Sequence, residues 1–167
     1  MAQAEQPEGA RPASSEDLPR LDALLSEALR AIASARGGPE LLEDEHSALS
    51  GAGALGRLLE GQDSFLAGGW YEDALVGIAV AHLARFGKGA CRGVLDLVYV
   101  EPEAREMGVG ESLLRAVIEW CTEHGCEALD APTLPGDRKT KSLLERHAFR
   151  ARKIVMTGSL SPLPRSA

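Results

Sequence analysis

Residues 65–70, 74–85 and 91–100 are three apolar runs separated only by the short turns Tyr71-Glu72-Asp73 and Phe86-Gly87-Lys88-Gly89. Connections this short join antiparallel neighbours, because a parallel pair needs a crossover of about a dozen residues or more. The third run, CRGVLDLVYV, is dense in the β-branched and aliphatic residues that suit a pleated surface. On the N-terminal side the period is helical. Leu18, Leu21, Leu24, Leu25, Ala28, Leu29 and Ile32 form one stripe, with Ser14 and Asp17 as a capping pair and Gly37-Gly38-Pro39 as the stop. A second helix starts near Pro39, and a short third piece carries Leu55, Leu58 and Leu59. On the C-terminal side, residues 111–124 carry the stripe Leu113, Leu114, Val117, Ile118 and Cys121, closed by Gly125. A short strand at 128–131, a Pro-rich loop, a helix at 138–147 and a final strand at 151–160 complete the order. The expected fold is α/β: N-terminal helices, antiparallel strands, then strand-helix-strand-helix-strand in one mixed sheet. Residues 16–160 are read as a single domain, between a Pro/Ala/Gly-rich disordered tail at 1–15 and a C-terminal tail at 161–167.

Composition narrows the function. The net charge of -7 is the wrong sign for neutralising phosphates along a nucleic acid, so no nucleic-acid partner is expected. No apolar run is long enough to span a bilayer and the N-terminus lacks a signal-peptide core, so no membrane partner is expected and the expected compartment is the cytoplasm. Cys91, Cys121 and Cys126 have neither metal-ligand spacing nor an even count, so neither a metal site nor a disulfide framework is expected.

The stretch that carries chemistry is Val98-Tyr99-Val100-Glu101-Pro102-Glu103-Ala104-Arg105-Glu106-Met107-Gly108-Val109-Gly110-Glu111. A strand ends, a short loop turns at Pro102, and glycines lie at the entrance of an amphipathic helix. Glycines let a ligand approach the backbone closely, and the first helical turn leaves N–H groups unpaired at the positive end of the dipole. That arrangement suits an anion such as a diphosphate. A dinucleotide-binding turn is the competing reading, with Asp130 further on. It fails because Leu113 stands where the third glycine belongs and the loop from Val100 to Gly108 is too long.

The stretch resembles the signature of the GNAT acetyltransferases: Arg105, two residues, Gly108, one residue, Gly110, with Val100 and Pro102 at the usual upstream positions. The resemblance covers residues 63–160 by motif and pattern, and residues 16–62 by element order. It implies an N-acetyltransferase that moves an acetyl group from acetyl-CoA directly to a primary amine of a small molecule or peptide. It further implies that the backbone of Val98, Tyr99 and Val100 pairs with the pantetheine arm, and that the amides of Glu106, Met107, Gly108, Val109, Gly110 and Glu111 hold the diphosphate. Asp137 falls where the family often has a cofactor-contacting Asn, and Arg138, Lys139 and Lys141 lie within reach of CoA phosphates. The acidic side chains Glu106 and Glu111 depart from the basic loop common in the family.

In the late motif Phe149 matches, Ala148 replaces a glycine, and Leu144 replaces the tyrosine that often protonates the departing thiolate. General acid help is worth roughly 10²–10⁴-fold, less than positioning with effective molarities of about 10⁵–10⁸ M, so the loss does not abolish transfer. Asp96, on the face of Val94 and Val98 if the strand is regular, is the candidate general base, with His82 next. The alternative is a catalytically weak or inactive CoA-binding GNAT-like regulatory module. The acceptor stays open among a small amine, an amino sugar, a protein N-terminus and a lysine. A homodimer is expected, paired through the final strand with Ile154, Val155 and Met156.

Overall fold

The computed structural model describes residues 9–44, 46–158 and 160. One sheet in the order β1-β2-β3-β4-β5 forms the middle layer. Its strands are β1 (Gly9–Pro12), β2 (Ser64–Tyr71), β3 (Ala74–Phe86), β4 (Ala90–Val100) and β5 (Ala128–Asp130). The first four are antiparallel, joined by the turns read from the sequence, and β5 runs parallel to β4. Helices α1 (Leu18–Ala33), α2 (Gly38–Asp44) and α3 (Ala54–Glu60) precede β2, while α4 (Val109–Glu123) and α5 (Arg138–Arg146) flank β5 in the chain.

The sheet is covered on both faces, which is why β3 reads as an almost unbroken apolar run. Ala79 and Ala81 face α4, with Leu113, Leu114 and Val117 packed over them. Ile78 and Val80 point the other way, against Leu21, Leu24 and Leu25 of α1 and Leu55 of α3. Helix α4 sits unusually close to the sheet because β2 and β3 present glycines beneath it. A Cβ on Gly69 would lie 2.6 Å from Val109 Cγ1, and one on Gly77 would lie 2.9 Å from Leu113 Cδ1. Helix α1 is tied down at its start by Arg20, which donates to the Leu75 carbonyl and pairs with Glu101.

The mixed α/β sheet and the helix order are as the sequence implies, with two corrections at the ends. Within the supposed tail of residues 1–15, Gly9–Pro12 forms β1, paired with β2 from Gly9↔Trp70 to Pro12↔Ala67. Its pairing comes from the free edge of β2, and Arg11 clamps it by bonding Asp17 and stacking 3.9 Å from the centroid of the Trp70 ring. Conversely, residues 151–158, within the expected final strand, form no strand. The Ile154-Val155-Met156 run has the right propensity, but a strand needs an edge to pair with, and β5 is only three residues long before Pro132. Residues 1–8 and 161–167 of the two tails lie outside the described residues.

Candidate active site

The site exists because β4 and β5 part company. They pair only at Arg92↔Ala128, Gly93↔Leu129 and Val94↔Asp130. Beyond Val94, β4 continues to Val100 with its β5-facing edge unmatched among the described residues. The gap widens into a cleft of about 1020 Å³, walled by β4, the loop to α4, the start of α5 and the α1–α2 region. Val98, Tyr99 and Val100 line it, presenting the strand edge to which an extended ligand arm can add.

At one end of the cleft lies the loop into α4. Arg105 Nε donates to the Val100 carbonyl at 3.0 Å, which folds the loop back on the strand, and buried Ala104 pins it to the core. Glu106 and Gly108 have φ of 69° and 82°, so the chain turns through left-handed backbone that glycine adopts without strain. Gly108 is also the N-cap of α4 and has no side chain to cap with; the Ser112 amide is the first to find a backbone carbonyl there, that of Gly108. The preceding amides of Val109, Gly110 and Glu111 have no partner within the helix, the condition for binding an anion. Arg105, Glu106, Gly108, Gly110 and Glu111 line the cleft.

Met107 and Val109 are not on the cleft wall. Met107 is exposed and Val109 is buried against the sheet, so either can serve a ligand only through its backbone. The Glu111 carboxylate is turned aside, bonded by Arg146 Nε at 3.2 Å. Asp137 lines the cleft, but its carboxylate caps α5 by accepting from the Thr140 amide at 3.0 Å.

Asp96 departs from the regular strand. Val80 pairs with Leu97 while Ala81 pairs with Leu95, so Asp96 is the extra residue of a β-bulge. Leu95, Val98 and Val100 pack on the α4 side, whereas Leu97 and Tyr99 pack on the α1 side. The expected alignment of Asp96 with Val98 is therefore broken. Its carboxylate, 8% exposed, lies 2.7 Å from His82 Nδ1, and His82 lies on the α1 side by its alternation with Ala81. The two residues that the sequence offered as rival bases are one pair, with Asp96 on the cleft wall.

Two further polar groups complete the lining. Burial pushes the Tyr99 phenol above its usual range, nearby Glu27 pushes it further, and the hydroxyl donates to Glu27 Oε2 at 3.3 Å. His46, 2% exposed, also lines the cleft, and its Nδ1 has no hydrogen-bond partner among the described residues. Sequence reasoning missed His46 because it follows an acidic run in a connection with no motif. Leu144 is buried in the α4-side core and is not on the cleft wall; its neighbour Leu143 is.

A sheet split beside β4 and opening onto uncapped helix amides is a site suited to an extended ligand that ends in an anionic group. The acetyltransferase (GNAT) family model matches residues 23–149, and the chain belongs to that family, whose cosubstrate is acetyl-CoA. The fold agrees with solved structures. A tetramutant of the BH1408 protein from Bacillus halodurans has a TM-score of 0.71 at 15% identity, covering 90% of this chain and 99% of that one. The aminoglycoside N-acetyltransferase AAC(6')-Iy, solved in complex with CoA, has a TM-score of 0.66 at 17% identity, covering 92% and 99%. An integron cassette protein from the mobile metagenome of Cole Harbour Salt Marsh has a TM-score of 0.68 at 26% identity, covering 96% and 95%. No curated protein sequence matches the chain.

Proposed function

We propose that the protein transfers an acetyl group from acetyl-CoA directly to a primary amine, with Asp96 accepting the amine's proton. The carrying observation is the continuous cleft that runs from the uncapped start of α4 along the open edge of β4 to the bulged Asp96. Acetyl-CoA supplies the acetyl group as an activated thioester. The chain's amides at 106–111 and the β4 edge orient it, and the amine nitrogen bonds to the acetyl carbon as the carbon–sulfur bond breaks. The proton lost by nitrogen goes to Asp96, where the adjoining His82 imidazole can share it, and the departing sulfur takes a proton from solvent in place of the tyrosine that Leu144 replaces.

No acetyl-enzyme step is invoked, because the cysteines are unsuited to it. Burial raises the Cys121 thiol, and burial together with the Cys91 thiol at 3.0 Å pushes Cys126 up to about 12. None of the three lines the cleft. Three free thiols also suit a reducing compartment, which supports the cytoplasm as its location; fractionation against a periplasmic or organellar marker checks this.

Thiol release from acetyl-CoA over a panel of amines tests the activity. Asp96→Asn keeps the shape and removes the base, so turnover falls by roughly 10²-fold or more near neutral pH with acetyl-CoA affinity unchanged. The deficit shrinks at higher pH, where more amine is already unprotonated. Full activity in Asp96→Asn shows the residue to be structural. Leu144 supports the second reading, a CoA-binding module without turnover, and tight acetyl-CoA binding with no acceptor acetylated establishes it.

A further inference from the structure

The end of the cleft away from the α4 loop is built by α1 and α2. Ala28, Ala31 and Ile32 from α1, Ala35 just beyond it and Leu41 from α2 form this wall, and none has a hydrogen-bonding side chain. Two polar groups interrupt it. One is the buried His46, which lines the cleft and whose Nδ1 has no hydrogen-bond partner among the described residues, the kind of unmet buried group that calls for an explanation. The other is Arg36, in the turn after α1, which lines the cleft and has no ion-pair partner among the described residues.

Three of the four carboxylates that line the cleft are committed elsewhere: Asp96 is paired with His82, Glu111 with Arg146, and Asp137 caps α5; the fourth, Glu106, belongs to the loop before α4 and not to the α1–α2 wall. A polycationic acceptor therefore meets an apolar wall and an arginine, with no carboxylate of α1 or α2 lining the cleft among the described residues. We infer that the acceptor is an amino carboxylate with a compact apolar body. Its carboxylate pairs with Arg36, its body lies against Ala28, Ile32 and Leu41, and an oxygen of the same molecule takes the hydrogen bond of His46. The inference rests on the acetyl-transfer reading and narrows its acceptor to one chemical class.

The experiment compares L-leucine, 3-methylbutylamine (the same body without the carboxylate) and kanamycin (a polycation) in the thiol-release assay. Calorimetry of L-leucine added to the protein–CoA complex accompanies it. Leucine is expected to have the highest kcat/KM of the three. Arg36→Ala is exposed and leaves the core intact. It should reduce the preference for leucine over 3-methylbutylamine by at least about fivefold, through KM, with acetyl-CoA affinity unchanged. His46→Phe, which fills the same space without the ring nitrogens, should raise the KM for leucine in the same direction.

Preference for kanamycin, or an unaltered leucine preference in Arg36→Ala, overturns the inference. If no amine is acetylated, leucine binding to the CoA complex still decides it, and absence of binding overturns it. Failure of acetyl-CoA itself to bind strikes the acetyl-transfer reading instead, and calorimetry without acceptor separates the two.

Discussion

Single residues decide how this site differs from the pattern it resembles. Ala148 follows α5 at the position where the family motif has glycine, and its φ of 64° is left-handed. Holding an L-residue there costs roughly 1–2 kcal/mol, while glycine's extra unfolded freedom costs about 0.4–1 kcal/mol. Ala148 is exposed and loses no packing, so Ala148→Gly should stabilise the protein by about 0.5–1 kcal/mol in urea denaturation. A lowered midpoint contradicts this account. Gly110 tests the other end of the cleft. A Cβ there meets Leu143 Cδ2 at 3.6 Å and Val100 Cγ2 at 3.8 Å, ordinary contacts, so the fold accepts a side chain. Gly110→Glu should nevertheless weaken acetyl-CoA by at least tenfold, about 1.4 kcal/mol, because it sets a negative charge among the amides. Equal affinity in calorimetry moves the diphosphate site elsewhere. His46 was invisible at this scale: one histidine in an irregular connection gives no period and no motif, and only its burial and the lack of a partner for Nδ1 among the described residues mark it.

Elements carry the next constraint, the seating of α4 on β2 and β3. A side chain at Gly77 collides with Leu113, with Val109 Cγ1 at 3.1 Å and with the Tyr99 carbonyl at 3.2 Å. Gly77→Val should lift the first turn of α4, cost about 1–3 kcal/mol by overpacking and weaken acetyl-CoA without touching it. Denaturation and calorimetry check both effects, and unchanged stability refutes the close seating. Much at this scale was legible. The stripe from Leu113 to Cys121 and the Arg105-to-Gly110 spacing located α4 and its ligand-facing end, and the two turns forced the antiparallel order. The bulge at Asp96 was not legible, because inserting one residue changes no composition, yet it moves the carboxylate off the face of Val98 and onto His82. Strand β1 was hidden for the opposite reason. Its four residues, GARP, have no strand propensity, and pairing is imposed by the waiting edge of β2 and the Arg11–Asp17 clamp.

For the whole molecule, the exposed C-terminal segment bears on association. Ile154, Val155 and Met156 are 81%, 74% and 89% exposed in a segment that pairs with nothing among the described residues. We propose that this apolar run meets a second copy in a homodimer, since three consecutive exposed apolar side chains and the short open edge of β5 are both costly to leave in water. Light scattering at tens of micromolar should give a dimer mass, and removal of residues 151–167 should return it to a monomer. A monomer for the full chain refutes the proposal.

The parted strands have a consequence for how long the folded chain resists a protease. Six residues of β4 lack a neighbour on one side among the described residues, and the ligand that fills the gap binds the folded chain and not the unfolded one. Acetyl-CoA at a hundred times its Kd adds about 2.7 kcal/mol to stability, roughly a hundredfold fall in the unfolded fraction. Proteolysis that samples the unfolded fraction should therefore slow by a similar factor when acetyl-CoA is present, and digestion with and without the ligand checks this.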